Sequence, residues 1–147
     1  MPSADSLRAA LHCLRSEVLI VILDEELWKM LPQSLLASSM QLRKASDHEQ
    51  TLNAKRANHY VLARPEYLHG LEFEGAILVG VSKGVVPRLP LGGVSGAAAI
   101  YATQHAVDQL YLATTRARRG LTVLVDREPS ALLRDAVDRG LVDVSRA

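Results

Sequence analysis

The sequence contains little cysteine, no long apolar run and no excess of charge of one sign. Its single cysteine, Cys13, excludes an internal disulfide framework, and the absence of a CxxC pair or close His/Cys cluster argues against a structural zinc site. The longest apolar runs fall far short of the roughly 20 residues that a membrane span needs, and the amino terminus lacks a signal-peptide pattern. We therefore expect a soluble, cytoplasmic protein with no metal ligands and no membrane partner.

The charge of the chain is nearly balanced. Its 17 Lys and Arg residues and 16 Asp and Glu residues give a formal net charge of +1, so contact with nucleic acid would need a local basic patch. Hydrophobic residues at 48% and charged residues at 22% are typical of a folded globular protein rather than a disordered one. The length of 147 residues predicts a single domain over residues 1–147.

The sequence also has no G-x-x-x-x-G-K-[ST] phosphate-binding loop. It does have an apolar, β-branched run at residues 18–23, VLIVIL, which predicts a central parallel strand covered on both faces. This run ends in Asp24, Glu25 and Glu26. The acids either begin a helix, where the helix dipole favours negative charge, or hold magnesium as in a Walker B element.

Strand-like runs alternate with helical patterns along the chain, which predicts an α/β fold with a mostly parallel sheet and helices on both faces. Residues 102–118 have helical spacing, with Gly120 as the helix stop and residues 121–125 as a buried strand. The helix would therefore present a basic end formed by Arg116, Arg118 and Arg119. Composition predicts a flexible loop at residues 88–99, and Ser130 is predicted to cap a last helix.

Two segments carry recognisable motifs: residues 69–87, HGLEFEGAILVGVSKGVVP, and residues 109–118, QLYLATTRAR. Together they resemble the late motifs of the UvrD/Rep-like superfamily 1 helicases. The second RecA-like domain of that family carries a KGLEF segment leading into a strand, and then a Q-L-Y-V-A-x-T-R-A-R segment. Order, context and spacing agree over residues 60–125. The resemblance implies a RecA-like, P-loop NTPase-type fold and the C-terminal half of an ATP-dependent DNA helicase or translocase.

The resemblance also implies roles for individual residues. Arg116 would be the catalytic arginine finger, which reaches the γ-phosphate of ATP bound mainly by an N-terminal RecA-like domain. Glu72 would accept a hydrogen bond from the ribose of ATP, and Gly70 would let the backbone come close to the nucleotide. The alternation of a strand would by itself also place a charged residue at position 72. Gln109 and Thr115 complete the nucleotide-binding set. Arg118 and Arg119 are interpreted as surface or strand-end charge.

The cofactors implied are ATP and Mg²⁺, with the Mg²⁺ ligands outside this chain. Because the chain lacks the phosphate-binding loop, we expect it not to hydrolyse ATP alone. The implied partners are an N-terminal RecA-like helicase domain, in the same or a separate chain, and single-stranded DNA.

The chain departs from the family at residues 64–69, where relatives usually show T-x-H-x-x-K. Arg64, Tyr67 and His69 occupy the stretch that contacts the nucleic-acid strand in the family and are the candidate nucleic-acid-binding residues. Two alternatives stay open. A degenerate, non-catalytic helicase-like domain would act as a protein-interaction module, and a different α/β nucleotide-binding or hydrolase fold would use Asp24 and Glu25 as functional acids.

Overall fold

Five parallel strands form one sheet in the computed structural model, which describes residues 17–30, 42–89 and 95–142. In chain order the strands are β1 (Val18–Ile22), β2 (Leu42–Lys44), β3 (Tyr60–Ala63), β4 (Phe73–Val79) and β5 (Ala117–Leu124). Their order across the sheet is β2-β3-β1-β4-β5, and every pair of neighbours is parallel. All five residues of β1 are fully buried, so the predicted central strand is confirmed.

Helices cover both faces of the sheet within the described residues. They are α1 (Glu25–Met30), α2 (His48–Arg56), α3 (Gly96–Thr114) and α4 (Ala131–Asp138), with a 3₁₀ turn at Pro65–Tyr67. Apolar side chains of α2, α3 and α4 pack into the core on one face, and Leu27 of α1 packs into the core on the other. The predicted α/β fold is confirmed, and the sheet is parallel throughout.

Helix α3 ends at Thr114, so the prediction that it continues to residue 118 is wrong. The reason is pairing between distant segments: the amide of Phe73 donates to the carbonyl oxygen of Arg116 at 2.8 Å, and β5 begins at the next residue. Arg116 therefore lies in a turn. Gly120 lies within β5, not at a helix stop, and the basic end consists of one turn residue followed by two strand residues.

The helix also begins earlier than predicted, at Gly96, so residues 96–99 belong to α3 and not to the predicted loop. Residues 90–94 of that loop lie outside the described residues. The predicted cap of the last helix is confirmed, because the Ser130 hydroxyl accepts a hydrogen bond from the amide of Leu132 at 3.2 Å.

Parallel strands place the beginnings of all strands at one edge of the sheet, here called the amino edge, and their ends at the other, the carboxyl edge. Residues 64–72 connect the carboxyl end of β3 to the amino end of β4 and include the 3₁₀ turn, which packs against α2 and α3. The helicase-like segments therefore contribute residues to both edges.

Candidate functional site

Four of the predicted catalytic and nucleotide-binding residues meet at the amino edge. Gly70 and Glu72 lie just before β4, and Thr115 and Arg116 lie just before β5. Since β4 and β5 are neighbours in the sheet, the two short segments run side by side. We call these four residues the amino-edge cluster.

The guanidinium of Arg116 is bound to the backbone of the neighbouring segment. Its Nη1 donates to the carbonyl oxygen of Leu71 at 3.3 Å, and its Nη2 donates to the hydroxyl oxygen of Thr115 at 3.2 Å. Its Nε is buried and has no hydrogen-bond partner. The two hydrogen bonds hold the side chain in place, and because a guanidinium has five N–H donors, Nη1 and Nη2 each keep one for a further acceptor.

Thr115 completes the end of α3. Its amide donates to the carbonyl oxygen of Tyr111 at 3.0 Å, and its hydroxyl donates to that of Leu112 at 3.1 Å. The hydroxyl oxygen also accepts from Arg116. Thr115 therefore links the helix end to the guanidinium.

Gly70 has a φ of +70°, in the left-handed region that disfavours residues with a Cβ atom. A Cβ atom built there would meet nothing within 4 Å, so the backbone at this turn is open on one side. Beside it, the side chain of Glu72 is 63% exposed, and its Oε2 lies 3.7 Å from the Nε of Arg118. The cluster thus combines one held guanidinium, one accessible carboxylate and an open stretch of backbone.

Gln109 does not join this cluster. It lies six residues before Thr115 on α3, about 9 Å of helical rise away, and it lines a separate cavity. The structure thus separates Gln109 from Arg116.

This cavity lies at the carboxyl edge and has a volume of about 280 Å³. The ends of β1 and β3, residues 85–88 and one side of α3 form its walls. Asp24 and Arg88 form an ion pair across two of these walls, at 3.3 Å between Oδ1 and Nη2. The stacked rings of Tyr101 and His105, with centroids 6.3 Å apart, also line it.

The three predicted nucleic-acid-binding residues are spread along residues 64–72. Arg64 lines the cavity; its Nε pairs with Glu66 at 3.2 Å, while its Nη1 is buried and has no hydrogen-bond partner. Tyr67 ends the 3₁₀ turn, and its carbonyl oxygen lies 3.1 Å from Nδ1 of His48. His69 is exposed next to Gly70, near the other edge of the sheet.

Asp24 lies directly before α1, as the helix-start interpretation predicts. Its Oδ1 accepts a hydrogen bond from the amide of Glu26 at 3.0 Å and also pairs with Arg88. Glu25 and Glu26 form the acidic first turn of the helix. In residues 17–30, 42–89 and 95–142, no three His, Cys, Asp or Glu side chains are grouped so that they could hold a metal ion. No helix in the same part of the chain is long and apolar enough to cross a membrane.

The sequence did not identify two groups that contact the cluster. One is the carbonyl oxygen of Leu71, which holds Arg116; a backbone group leaves no signal in the residue pattern. The other is Arg118, interpreted above as strand-end charge, which contacts Glu72. The position of Arg118 next to Glu72 and Glu74 can be recognised only once the register between β4 and β5 is known.

Comparison with known proteins identifies a structural neighbour but no family. No protein-family model matches the sequence, and no curated protein matches it. The fold is similar to the crystal structure of the C-terminal domain of a possible DNA helicase from Lactobacillus plantarum WCFS1, with a TM-score of 0.59 and 17% sequence identity. The match covers 88% of this chain and 68% of that one. The likeness establishes the fold: a single small α/β domain, consistent with a RecA-like fold.

Proposed function

We propose that this chain is the C-terminal RecA-like domain of an ATP-dependent superfamily 1, UvrD-like DNA helicase or translocase. One observation carries the proposal: Arg116 is fixed against Leu71, so the two helicase-like segments form one cluster in space as well as a pattern in sequence. The structural neighbour described as the C-terminal domain of a possible DNA helicase supports the same assignment.

The residues of the amino-edge cluster fit a nucleotide. The half-buried Arg116 guanidinium has unused N–H donors on Nη1 and Nη2 for phosphate oxygens, and the exposed Glu72 carboxylate offers an acceptor for ribose hydroxyls. The open backbone at Gly70 leaves room for close approach. ATP would supply the free energy for translocation, and Mg²⁺, bound by residues of the N-terminal domain, would neutralise part of its charge.

Within this assignment, Arg116 acts as an arginine finger. Its guanidinium stays ionised and neutralises negative charge as it develops on the transferring phosphoryl group. Thr115 and the Leu71 carbonyl hold the guanidinium, which reduces the reorganisation needed in the transition state. Glu72 orients the nucleotide. The N-terminal RecA-like domain supplies the phosphate-binding loop that this chain lacks.

The test is the ATPase activity of the natural protein that contains this domain together with its N-terminal motor domain, with and without single-stranded DNA. Arg116→Ala should lower kcat by about a thousandfold, since arginine fingers contribute on that order. Arg116→Lys keeps the charge but loses the fork of donors, and it should restore only a small part of the rate.

The matched control is Arg139→Ala, which removes an exposed arginine just after α4, where it pairs with Asp135. It should leave kcat within about twofold of wild type, because a surface ion pair contributes little. Circular dichroism should show that every variant is folded. Unchanged hydrolysis in a folded Arg116→Ala variant would contradict the proposal.

A protein-interaction module without nucleotide chemistry is the second candidate, and the exposed apolar side chains of α3 favour it. Ile100, Tyr101 and Tyr111 are 72%, 74% and 71% exposed. Exposed apolar surface is typical of contact sites. Partner binding that is lost in Tyr111→Ser and unaffected by nucleotide or by Arg116→Ala would favour this candidate over the motor domain.

A further inference from the structure

Strand β5 has one more residue than β4 where the two strands begin to pair. The paired residues on either side of this irregularity are Phe73 with Ala117 and Gly75 with Gly120. Two steps along β4 thus correspond to three along β5. This is the pattern of a β-bulge in which Arg118 and Arg119 together oppose Glu74.

The bulge changes where the two arginines point. Consecutive side chains of a regular strand point to opposite faces of the sheet. Here both arginines pair with the same glutamate: Nη1 of Arg118 lies 4.0 Å from Oε1 of Glu74, and Nε of Arg119 lies 3.0 Å from its Oε2. Arg118 is thereby placed on the same side of the sheet as Glu74.

From this position Arg118 also contacts the amino-edge cluster. Its Nε lies 3.7 Å from Oε2 of Glu72, so its guanidinium spans the two glutamates. Arg119 pairs with Glu74. The two neighbouring arginines therefore differ in their contacts: Arg118 contacts Glu72, the proposed ribose-binding residue, and Arg119 contacts Glu74.

This ion pair is not explained by stability. The side chains of Arg118 and Glu72 are 59% and 63% exposed, and ion pairs this accessible contribute little to folding. Bulges are enriched next to functional sites, where they redirect a side chain. A bulge that directs an arginine to an exposed carboxylate of the cluster therefore points to a role in binding.

Resting on the proposed function, we infer that Arg118 is a positioning residue, which holds the Glu72 carboxylate in place for the ribose. A free glutamate side chain loses rotamer entropy when it binds a hydroxyl, and holding it beforehand reduces that loss. Since Arg118 engages Oε2, the other carboxylate oxygen is available as an acceptor.

The test compares Arg118→Ala with Arg119→Ala in the natural protein that contains both motor domains. Each variant removes one exposed arginine from the same bulge, so they match in charge and in effect on the strand. Arg118→Ala should raise KM for ATP by about three- to tenfold with kcat within about twofold, because it weakens a charge-assisted hydrogen bond to the ribose. Arg119→Ala should leave both parameters within about twofold of wild type.

Three further measurements separate positioning from a general charge effect. With 2′,3′-dideoxy-ATP, which has no ribose hydroxyls, Arg118→Ala should change KM by less than about twofold. In a Glu72→Gln background, Arg118→Ala should have no additional effect on KM for ATP, as expected for residues that act as a unit. Arg118→Lys should restore part of the affinity, since it keeps the charge and loses the fork.

The outcomes distinguish this inference from the proposed function. If Arg116→Ala lowers kcat as expected but Arg118→Ala behaves like Arg119→Ala, or shifts KM equally for both nucleotides, the positioning role is wrong and the motor assignment stands. If Arg116→Ala leaves kcat unchanged, the motor assignment fails and the positioning role fails with it.

Discussion

Arg116 donates a hydrogen bond from Nη1 to the carbonyl oxygen of Leu71 at 3.3 Å. The proposed finger is therefore also a structural link between the beginning of β5 and the segment before β4. The amide of Phe73 closes the same link in the other direction by donating to the carbonyl oxygen of Arg116. A substitution of Arg116 should therefore change the stability of the fold, separately from any effect on catalysis.

Arg116→Ala should destabilise the purified 147-residue chain by about 1 kcal/mol, the typical net contribution of one intramolecular hydrogen bond. The measurement is urea unfolding followed by circular dichroism. Arg139→Ala, which loses only a surface ion pair, should stay within about 0.5 kcal/mol of wild type. Equal stability of wild type and Arg116→Ala would show that the link to Leu71 is not formed in solution.

Gly70→Ala should lower stability by about 1 kcal/mol, because φ at this position is +70° and a Cβ atom is disfavoured there. No steric clash adds to this, since the new atom meets nothing within 4 Å. Gly84→Ala is the matched control: its φ is +78° and its surroundings are equally open. Both variants should lose similar stability in urea unfolding.

The two glycine variants should differ in nucleotide binding. The methyl group at position 70 would stand on the open backbone of the amino-edge cluster, whereas position 84 follows β4 at the opposite edge. KM for ATP in the two-domain protein should therefore rise in Gly70→Ala and stay unchanged in Gly84→Ala. Equal KM values for both would argue that the backbone at Gly70 is not part of the nucleotide site.

Ser130→Ala should be the more damaging of two serine substitutions at helix N-caps. The fully buried Ser130 hydroxyl donates to the carbonyl oxygen of Val86 and accepts from the amide of Leu132, so its loss leaves buried groups without partners. We expect a loss of about 2 kcal/mol in urea unfolding. Ser95 caps α3 without a side-chain hydrogen bond, so Ser95→Ala should cost less than about 0.5 kcal/mol. A smaller loss in Ser130→Ala than in Ser95→Ala would refute this assignment.

Much of the fold is predictable from local patterns. The continuous apolar run of β1 and the serine before α4 each reflect a local preference that the tertiary structure keeps. Helix α2 was missed, although Asp47 and Gln50 carry its signal: the Asp47 carboxylate accepts from the amide of Gln50 at 2.8 Å, and the Gln50 side chain accepts from the amide of Ser46 at 3.1 Å. The three-residue β2 has too little pattern to be identified.

The end of α3 was mispredicted because a long-range interaction overrides the local preference. Alanine and arginine at residues 116–119 favour a helix, but pairing with Phe73 draws Ala117 into the sheet. The same register sets the site: it places Arg116 beside Leu71 and Arg118 beside Glu72. Spacing along the chain carries no information on a bulge, so the sequence identified the candidate residues without their contacts.

The ion pairs of Glu128 should make stability depend on pH in the acid range. A hydrogen bond from Lys83, at 2.9 Å, and the charges of Lys83 and Arg134 lower the pKa of Glu128 in the folded protein. A lowered folded-state pKa means that this stabilisation is fully present above the ordinary glutamate pKa of 4.5 and is lost as pH falls through the folded value. Below pH 5, the urea concentration at the unfolding midpoint should fall slightly less steeply with pH in Glu128→Gln than in wild type. The difference should be small, since the site is exposed. Lys83→Met should have a similar effect, and the effects of the two substitutions should not add. Identical acid profiles for wild type and Glu128→Gln would contradict this coupling.

Arg64 provides the sharpest test of DNA binding at the carboxyl edge. The residue lines a cavity together with Arg88, so a phosphate that entered this cavity would meet two guanidinium groups. Binding of fluorescein-labelled oligo(dT) to the 147-residue chain, followed by anisotropy over a range of salt concentrations, should weaken in Arg64→Ala. The slope of log K against log salt concentration is negative, and its magnitude should decrease by about 1, as expected when one arginine no longer neutralises a phosphate. Arg43→Ala, at an exposed position of β2, should change neither value. Equal weakening in the two variants would mean that DNA responds to overall charge and not to this cavity, and would move the candidate nucleic-acid surface away from Arg64.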